Sequence, residues 1–245
     1  MKEYFQLNRD ILYWLILAPF RGEAFSINET FRQIIRIGVQ ALPVASLTAF
    51  SIGLTLAMQS AAELSKLGAD AYVPDLVAVT LMRELGPILV AVIVTGRSGS
   101  AVTAELGTMA VSEEIEALEA MAINPIRYLI IPRFIAMLIM LPVLTVFGHY
   151  IGNVGGWFVC TTTLDMSAAN YIIRAFDRAT FQDLYVGILK SIVFAWLVIT
   201  IACHFGMTVR GGAEGVGLNT TRSVVVSLLA MLIANVILTG IFFFA

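Results

Sequence analysis

An all-α polytopic membrane protein with five transmembrane helices is the fold this sequence predicts, and three observations predict it. Of its 245 residues, 59% are hydrophobic and only 13% charged, about half of the roughly 25% charged residues of a soluble domain. Mean hydropathy is +0.88. The apolar residues also come in runs long enough to cross a bilayer, which takes about 20 residues each. The formal charge of −2 and a pI near 5.7 exclude the strongly basic face that a nucleic-acid binder needs. Two cysteines in so apolar a chain exclude a disulfide scaffold and a disordered segment.

The elements follow in order. Asp10–Phe20 is apolar for only about ten residues before Pro19, Arg21 and Gly22 interrupt it, too short to cross. No small-residue cleavage site follows, so it is a poor signal peptide. A helix lying in the headgroup plane fits better, with Tyr4, Tyr13 and Trp14 at interface depth. Ser26 and Glu29 are spaced as a capping box ahead of Phe31, Ile34, Ile35 and Val39. Arg32, Gln33 and Arg36 fill the opposite face, so residues 1–43 read as interfacial helices. The spans are then Val44–Ala62, Leu76–Thr95, Phe134–Val159, Leu184–Phe205 and Val224–Phe244. The third is long enough to tilt, and Pro142 is placed to kink it. Its Gly148, Gly152 and Gly156 recur every four residues, making one face open to close helix packing. His149 and Asn153 lie four apart on a neighbouring face, where interhelical hydrogen bonding is favoured over catalysis.

Basic residues set the orientation. With the N-terminus in the cytosol, Lys2, Arg9, Arg21, Arg32, Arg36, Arg97, Arg127, Arg133, Arg210 and Arg222 fall inside. Lys66, Arg174 and Arg178 fall outside, Arg83 and Lys190 lie within spans, and the C-terminus faces outward. Cys160 and Cys203 are then separated across the membrane and cannot bond, which requires Cα atoms within about 7 Å.

Several chemistries are missing. There is no G-x-x-x-x-G-K-[ST] phosphate loop, and the glycine-rich RGGAEGVG of Arg210–Gly217 lacks both the Lys and the Ser/Thr. No H-E-x-x-H or cysteine-rich metal cluster exists, and His149 and His204 are the only imidazoles. Ser98 in GRSGS follows a membrane helix, not the strand-to-helix elbow of a nucleophile motif. No enzyme, metal site or bound cofactor is supported.

The connection Gly96–Arg133 carries the strongest signal. It reads SEEIEALEAMAINP from Ser112 to Pro125. Ser112 is placed as a helix N-cap, and Glu113 and Glu114 complement the positive end of the helix dipole. Ile115, Leu118 and Ala122 share a face, and Asn124-Pro125 stops the helix. A cytosolic helix over about 112–123 is expected, with an apolar stripe and an acidic surround.

Glu116-Ala117-Leu118, followed by Pro132, resembles the EAA-type coupling loop of ABC importer permeases, with Ala122 standing where that loop usually has Gly. RELGPILVAVIVTGRSGSAVTAELGTM (Arg83–Met109), the coupling stretch and RGGAEGVG together resemble the MlaE (YrbE-type) permease family, in family order, from about Phe31 to the C-terminus. The resemblance implies a homodimeric phospholipid permease in a Gram-negative inner membrane, maintaining outer-membrane lipid asymmetry. It further implies a cytosolic MlaF-like ABC ATPase that uses ATP and magnesium, a periplasmic MlaD-like MCE-domain protein and often an MlaB-like STAS-domain regulator. Glu113, Glu114, Ile115, Glu116, Leu118 and Ala122 are then the candidates for ATPase coupling, a helix suited to a partner's groove.

Ionisable groups within spans usually face a cavity or a partner. Arg83 lies seven residues past the outer boundary of its span and Lys190 six past its own, so at about 1.5 Å per residue both are roughly 10 Å deep. Arg83, Glu84 and Lys190 are expected to border a lipid cavity at the dimer axis, the cations attracting phosphate and Glu84 balancing them when it is empty. A structural ion pair, or snorkelling to the interface, is the plainer alternative. Leu64 and Leu67, three apart beyond the first span, are candidates for acyl-chain contact or for ordinary packing. A nucleotide-independent secondary transporter or lipid channel is the rival function. Inverted repeats would favour it, but five unequal spans show no evident duplication. A polytopic enzyme using His149 or His204 is a third.

Overall fold

The structure, a computed structural model, describes residues 2–17 and 26–244. Pro19, Phe20, Arg21 and Gly22, where the sequence ends its first apolar stretch, lie outside the described residues. The described residues form helices α1 (Lys2–Leu12), α2 (Ile27–Ile37), α3 (Leu42–Ser65), α4 (Val73–Thr80), α5 (Gly86–Val94), α6 (Ser100–Val111), α7 (Glu114–Ala120), α8 (Ile131–Thr163), α9 (Ala168–Arg178), α10 (Phe181–Met207) and α11 (Gly212–Phe244). Among the described residues, five stretches are long and apolar enough to cross a membrane: Ile27–Ser65, Asp70–Val111, Ile126–Thr163, Phe181–Met207 and Gly212–Phe242. The first four each contain an expected span, and the fifth overlaps Val224–Phe244 as far as Phe242. Helix α8 continues through Pro142. Helix α9 is not foreseen by the sequence reading, although Ser167 accepts from the Asn170 N–H as its N-cap.

Contacts divide the chain into two compact units. One comprises residues Met1–Ala41, Val94–Met140 and Val193–Ile237, the other Leu42–Ile93, Leu141–Ile192 and Leu238–Ala245.

In the first unit, α1 is fastened to α10. The Tyr4 hydroxyl bonds Thr200 Oγ1 at 2.9 Å, and the Trp196 indole N–H donates to Asn8 Oδ1 at 3.1 Å. Trp196 stands edge-on to Phe134 at 4.9 Å, and Leu7 and Ile11 of α1 are buried. Tyr4 is therefore held by the protein itself. Ser26 caps α2 as its spacing suggests, its hydroxyl accepting from the Glu29 N–H at 3.3 Å. The Glu29 carboxylate takes a hydrogen bond from Gln33. Glu105 draws Arg36 (2.7 Å) and Arg133 (3.2 Å) together, with the buried Arg133 also donating to the Leu129 carbonyl.

The second unit is built on close backbone approach. A Cβ on Gly53 would collide with the Gly152 carbonyl, and one on Gly152 would meet Leu81 at 2.9 Å and the Ala49 carbonyl at 3.3 Å. A Cβ on Gly148 would crowd Val90 (3.1 Å), and one on Gly156 would press on Val77 (2.9 Å) and the Tyr171 hydroxyl (2.5 Å). The four-residue glycine spacing is thus the surface against which α3, α4, α5 and α9 close. Ala57, Ala61, Val73, Val77, Leu81 and Tyr171 belong to the buried apolar core of this unit. Cys160 and Cys203 are buried free thiols.

Candidate functional site

Prolines shape the helical stretch that carries the charges. Between α4 and α5 lies a π-helical turn, Leu81–Leu85, closed by the Gly86 N–H on the Leu81 carbonyl. Such turns absorb one extra residue in a helix and frequently occur at functional sites. Pro87 brings no N–H to this turn. The carbonyl of Arg83, four residues before it, accepts instead from Lys190 Nζ of α10 at 3.2 Å. A second π-turn, Ile126–Ile130, stands in the same relation to Pro132. A third, Thr95–Gly99, has no proline after it. In that one Ser98 is buried and donates to the Ile37 carbonyl at 2.9 Å, while Arg97 reaches the Arg36 carbonyl and Gln40. GRSGS is a fastening between segments of the first unit.

The second unit brings Arg83, Glu84 and Lys190 together. Lys190 is fully buried, and its ammonium makes three hydrogen bonds: to the Arg83 carbonyl, to Glu84 Oε1 at 2.5 Å and to Thr239 Oγ1 at 2.8 Å. The Thr239 hydroxyl donates in turn to the Glu84 carboxylate at 3.1 Å. Arg83 pairs with Asp183, which is 1% exposed. The other oxygen of Asp183 accepts from the Thr180 N–H (3.0 Å) and hydroxyl (2.8 Å), while the Asp183 N–H donates back to that hydroxyl at 3.3 Å. Burying a charge is costly unless it is paired and hydrogen-bonded, and here each buried charge is both. The side chains of Arg83 and Glu84 remain 34% and 29% exposed.

Sequence reasoning missed three members of this network. Thr180 and Asp183 carry a legible signal, the T-x-x-D spacing of a capping box ahead of an apolar run. Thr239 carries none, being one hydroxyl in an apolar span. Leu64 and Leu67 do not join the network. Leu64 packs against the apolar core, whereas Leu67 is 79% exposed in the turn after α3.

His149 departs from the hydrogen-bonding role expected of it. It is 2% exposed, and neither ring nitrogen has a hydrogen-bond partner among the described residues. Its ring lies in a slot beside Gly86 of α5 and Gly187 of α10; a Cβ on Gly86 would collide with the ring, and one on Gly187 would touch it at 3.5 Å. Asn153 donates to the His149 backbone carbonyl within the same helix, and the interhelical bond runs from the Tyr171 hydroxyl to Asn153 Oδ1 at 3.4 Å. Burial, with the neighbouring Cys160 thiol adding to it, pushes the Tyr171 phenol well above its ordinary pKa, so it stays protonated and able to donate.

The coupling helix is shorter than expected and starts later. Ser112 closes α6, donating to the Thr108 carbonyl, and Glu113 is the N-cap of α7 in the left-handed conformation, φ 59°. The physical reason is the sharp reversal between α6 and α7, which the Ser112 hydroxyl braces by bonding Glu114 Oε1 at 2.9 Å. At the other end Ala122 is also left-handed, φ 59°. Its N–H bonds the Glu119 carbonyl and that of Ile123 bonds the Leu118 carbonyl, both at 2.9 Å, which is a Schellman ending with alanine in the usual glycine position. The helix therefore stops before Asn124, whose side chain caps the next turn by accepting from the Ile126 and Arg127 N–H groups. The apolar stripe also turns differently from the expectation of a partner-facing surface. Ile115 is buried in the chain and Leu118 half-buried, while Glu113, Glu114, Glu116, Glu119 and Met121 are exposed. The open face is acidic.

Comparison with known proteins fits this arrangement. The family profile described as Permease MlaE matches residues 30–241. A probable ABC transporter permease protein of Rickettsia prowazekii (strain Madrid E) is 39% identical over 212 residues, 86% of this chain and 82% of the relative. One from Synechocystis sp. (strain ATCC 27184 / PCC 6803 / Kazusa) is 36% identical over 216 residues, 88% and 82%. The chloroplastic protein Trigalactosyldiacylglycerol 1 of Arabidopsis thaliana is 37% identical over 230 residues, 94% of this chain and 65% of that protein.

Proposed function

The chain belongs to the Permease MlaE family, and from that premise we propose that it moves phospholipid for an ABC transporter. It is a multi-pass membrane permease subunit, and permeases of this kind work with a separate ATPase. The finer reading is a homodimer in a bacterial inner membrane, N-terminus cytosolic and C-terminus periplasmic. It works with an MlaF-like ATPase that consumes ATP and magnesium, an MlaD-like MCE-domain carrier and an MlaB-like STAS protein, and it maintains outer-membrane lipid asymmetry. A lipid substrate is supported by the Arabidopsis relative, whose name contains a diacylglycerol lipid.

The observation that carries the proposal is the charged network held within apolar helices. Arg83, a third exposed, is reachable by a headgroup phosphate. Lys190 is not, and its part is to fix Glu84 and the Arg83 backbone. A lipid leaves only if two states of the permease bind it differently. ATPase closure acting on α7 would supply those states by shifting packed helices as rigid bodies.

The test uses two variants. Arg83→Ala is expected to lower phospholipid copurification and transport while the complex still assembles. Glu84→Gln combined with Lys190→Met removes both charges without orphaning either and is expected to do the same. Unchanged lipid occupancy in both variants would leave the network a purely structural device and refute the proposal.

A further inference from the structure

An apolar cavity of about 220 Å³ lies in the second unit between α4, α8 and α9, away from any role given to the charged network. Ala78 and Ala175 line it, and Tyr150, Val154, Ile172 and Phe176 stand exposed around it. Its polar neighbours present almost no surface to it. Asn153 and Tyr171 bond each other, and the ring nitrogens of His149 and Trp157 are enclosed. A buried water requires two to four polar partners, which this lining does not offer. Nor does it offer a counter-charge for a headgroup.

We propose that this cavity holds a single acyl chain of a membrane lipid. Size decides against the other occupants. A cavity of about 220 Å³, set against the roughly 30 Å³ that each water takes in the liquid, accommodates a run of chain carbons. A partner helix with its side chains is about 10–12 Å across and does not enter. Helix α8 crosses the bilayer, and α9 is amphipathic, with Ile172, Ile173 and Phe176 exposed, so the mouth opens toward lipid. The two alanines are what keep the space free, since a larger side chain at Ala175 would fill it. Arg83 is not among its lining residues, although the adjacent Met82 is.

Photo-crosslinking tests it. Membranes containing the full chain with its accompanying subunits would be loaded with phosphatidylethanolamine bearing a diazirine in its acyl chain, irradiated, and the adducts mapped by peptide mass spectrometry. Adducts should concentrate in Tyr150–Trp157 and Ile172–Phe176, several-fold above the exposed α11 stretch Val225–Val236. Ala175→Phe should abolish that excess and leave α11 labelling unchanged, which also shows that the variant folds. Arg83→Ala should leave the excess intact, so that this site and the proposed transport site fail separately. Even labelling of all exposed stretches means a water-filled or protein-covered cavity, an excess that survives Ala175→Phe means that the labelled chain lies outside it, and either result overturns the proposal.

Discussion

At the scale of single residues, Ala122 shows what a side chain costs in the wrong conformation. A left-handed backbone penalises any residue with a Cβ by about 1–2 kcal/mol, and Ala122 sits there at φ 59°. Ala122→Gly should therefore raise stability, by up to about 1 kcal/mol once the greater freedom of glycine in the unfolded chain is counted. Thermal denaturation in detergent measures this; an unchanged or lower midpoint would mean the turn is not strained. Lys190 is the opposite case, a charge whose partners justify its burial. Lys190→Ala leaves Glu84 without its cation and should destabilise by about 3 kcal/mol, less to the extent that Glu84 is solvated. The Glu84→Gln, Lys190→Met pair should recover much of that loss, and additive effects in the same melting series would show the two residues uncoupled. The sequence marks Arg83, Glu84 and Lys190 because charge within an apolar run is conspicuous. It hides Thr239, since a hydroxyl can satisfy its own helix and so gives no signal.

At the scale of elements, hydrophobic run length located all five spans, while the devices that shape them were harder to read. The π-turn at Leu81–Leu85 is legible only once the chain is folded, because the Arg83 carbonyl, four residues before Pro87, takes a hydrogen bond from Lys190 of a distant helix. Pro87→Ala restores an N–H that competes for that carbonyl. It should weaken lipid retention without loss of thermal stability, measured on the same purified complex; full retention would detach the turn from the site. Helix α7 was legible as a helix but not in its facing. The spacing of Ile115 and Leu118 predicts an apolar partner surface, yet Ile115 is buried within the chain and the exposed face is acidic. The coupling proposal now rests on that acidic face. Glu116→Lys should release the ATPase on affinity purification, and normal association with normal lipid-stimulated hydrolysis would refute it. Helix α9 was missed because eleven amphipathic residues between two spans resemble an ordinary connector until Tyr171 and Ala175 find a core.

At the scale of the whole molecule, charge is sorted between the two units. Among the described residues, each Lys and Arg that the sequence reading assigns to the cytosolic side falls in the first unit, and Lys66, Arg83, Arg174, Arg178 and Lys190 fall in the second. Family, span number and the central charges could be read from the chain because they depend on composition and on conspicuous residues. The closure of the charge network and the acyl-chain cavity could not, since both depend on which helix faces meet. The account is tested most directly in vesicles holding the chain with and without its copurifying ATPase, by following transfer of labelled phospholipid to an acceptor protein. Transfer should require both the ATPase and ATP, and should fall with Arg83→Ala while the complex still assembles. Lipid transfer by the chain alone, without nucleotide, would contradict it.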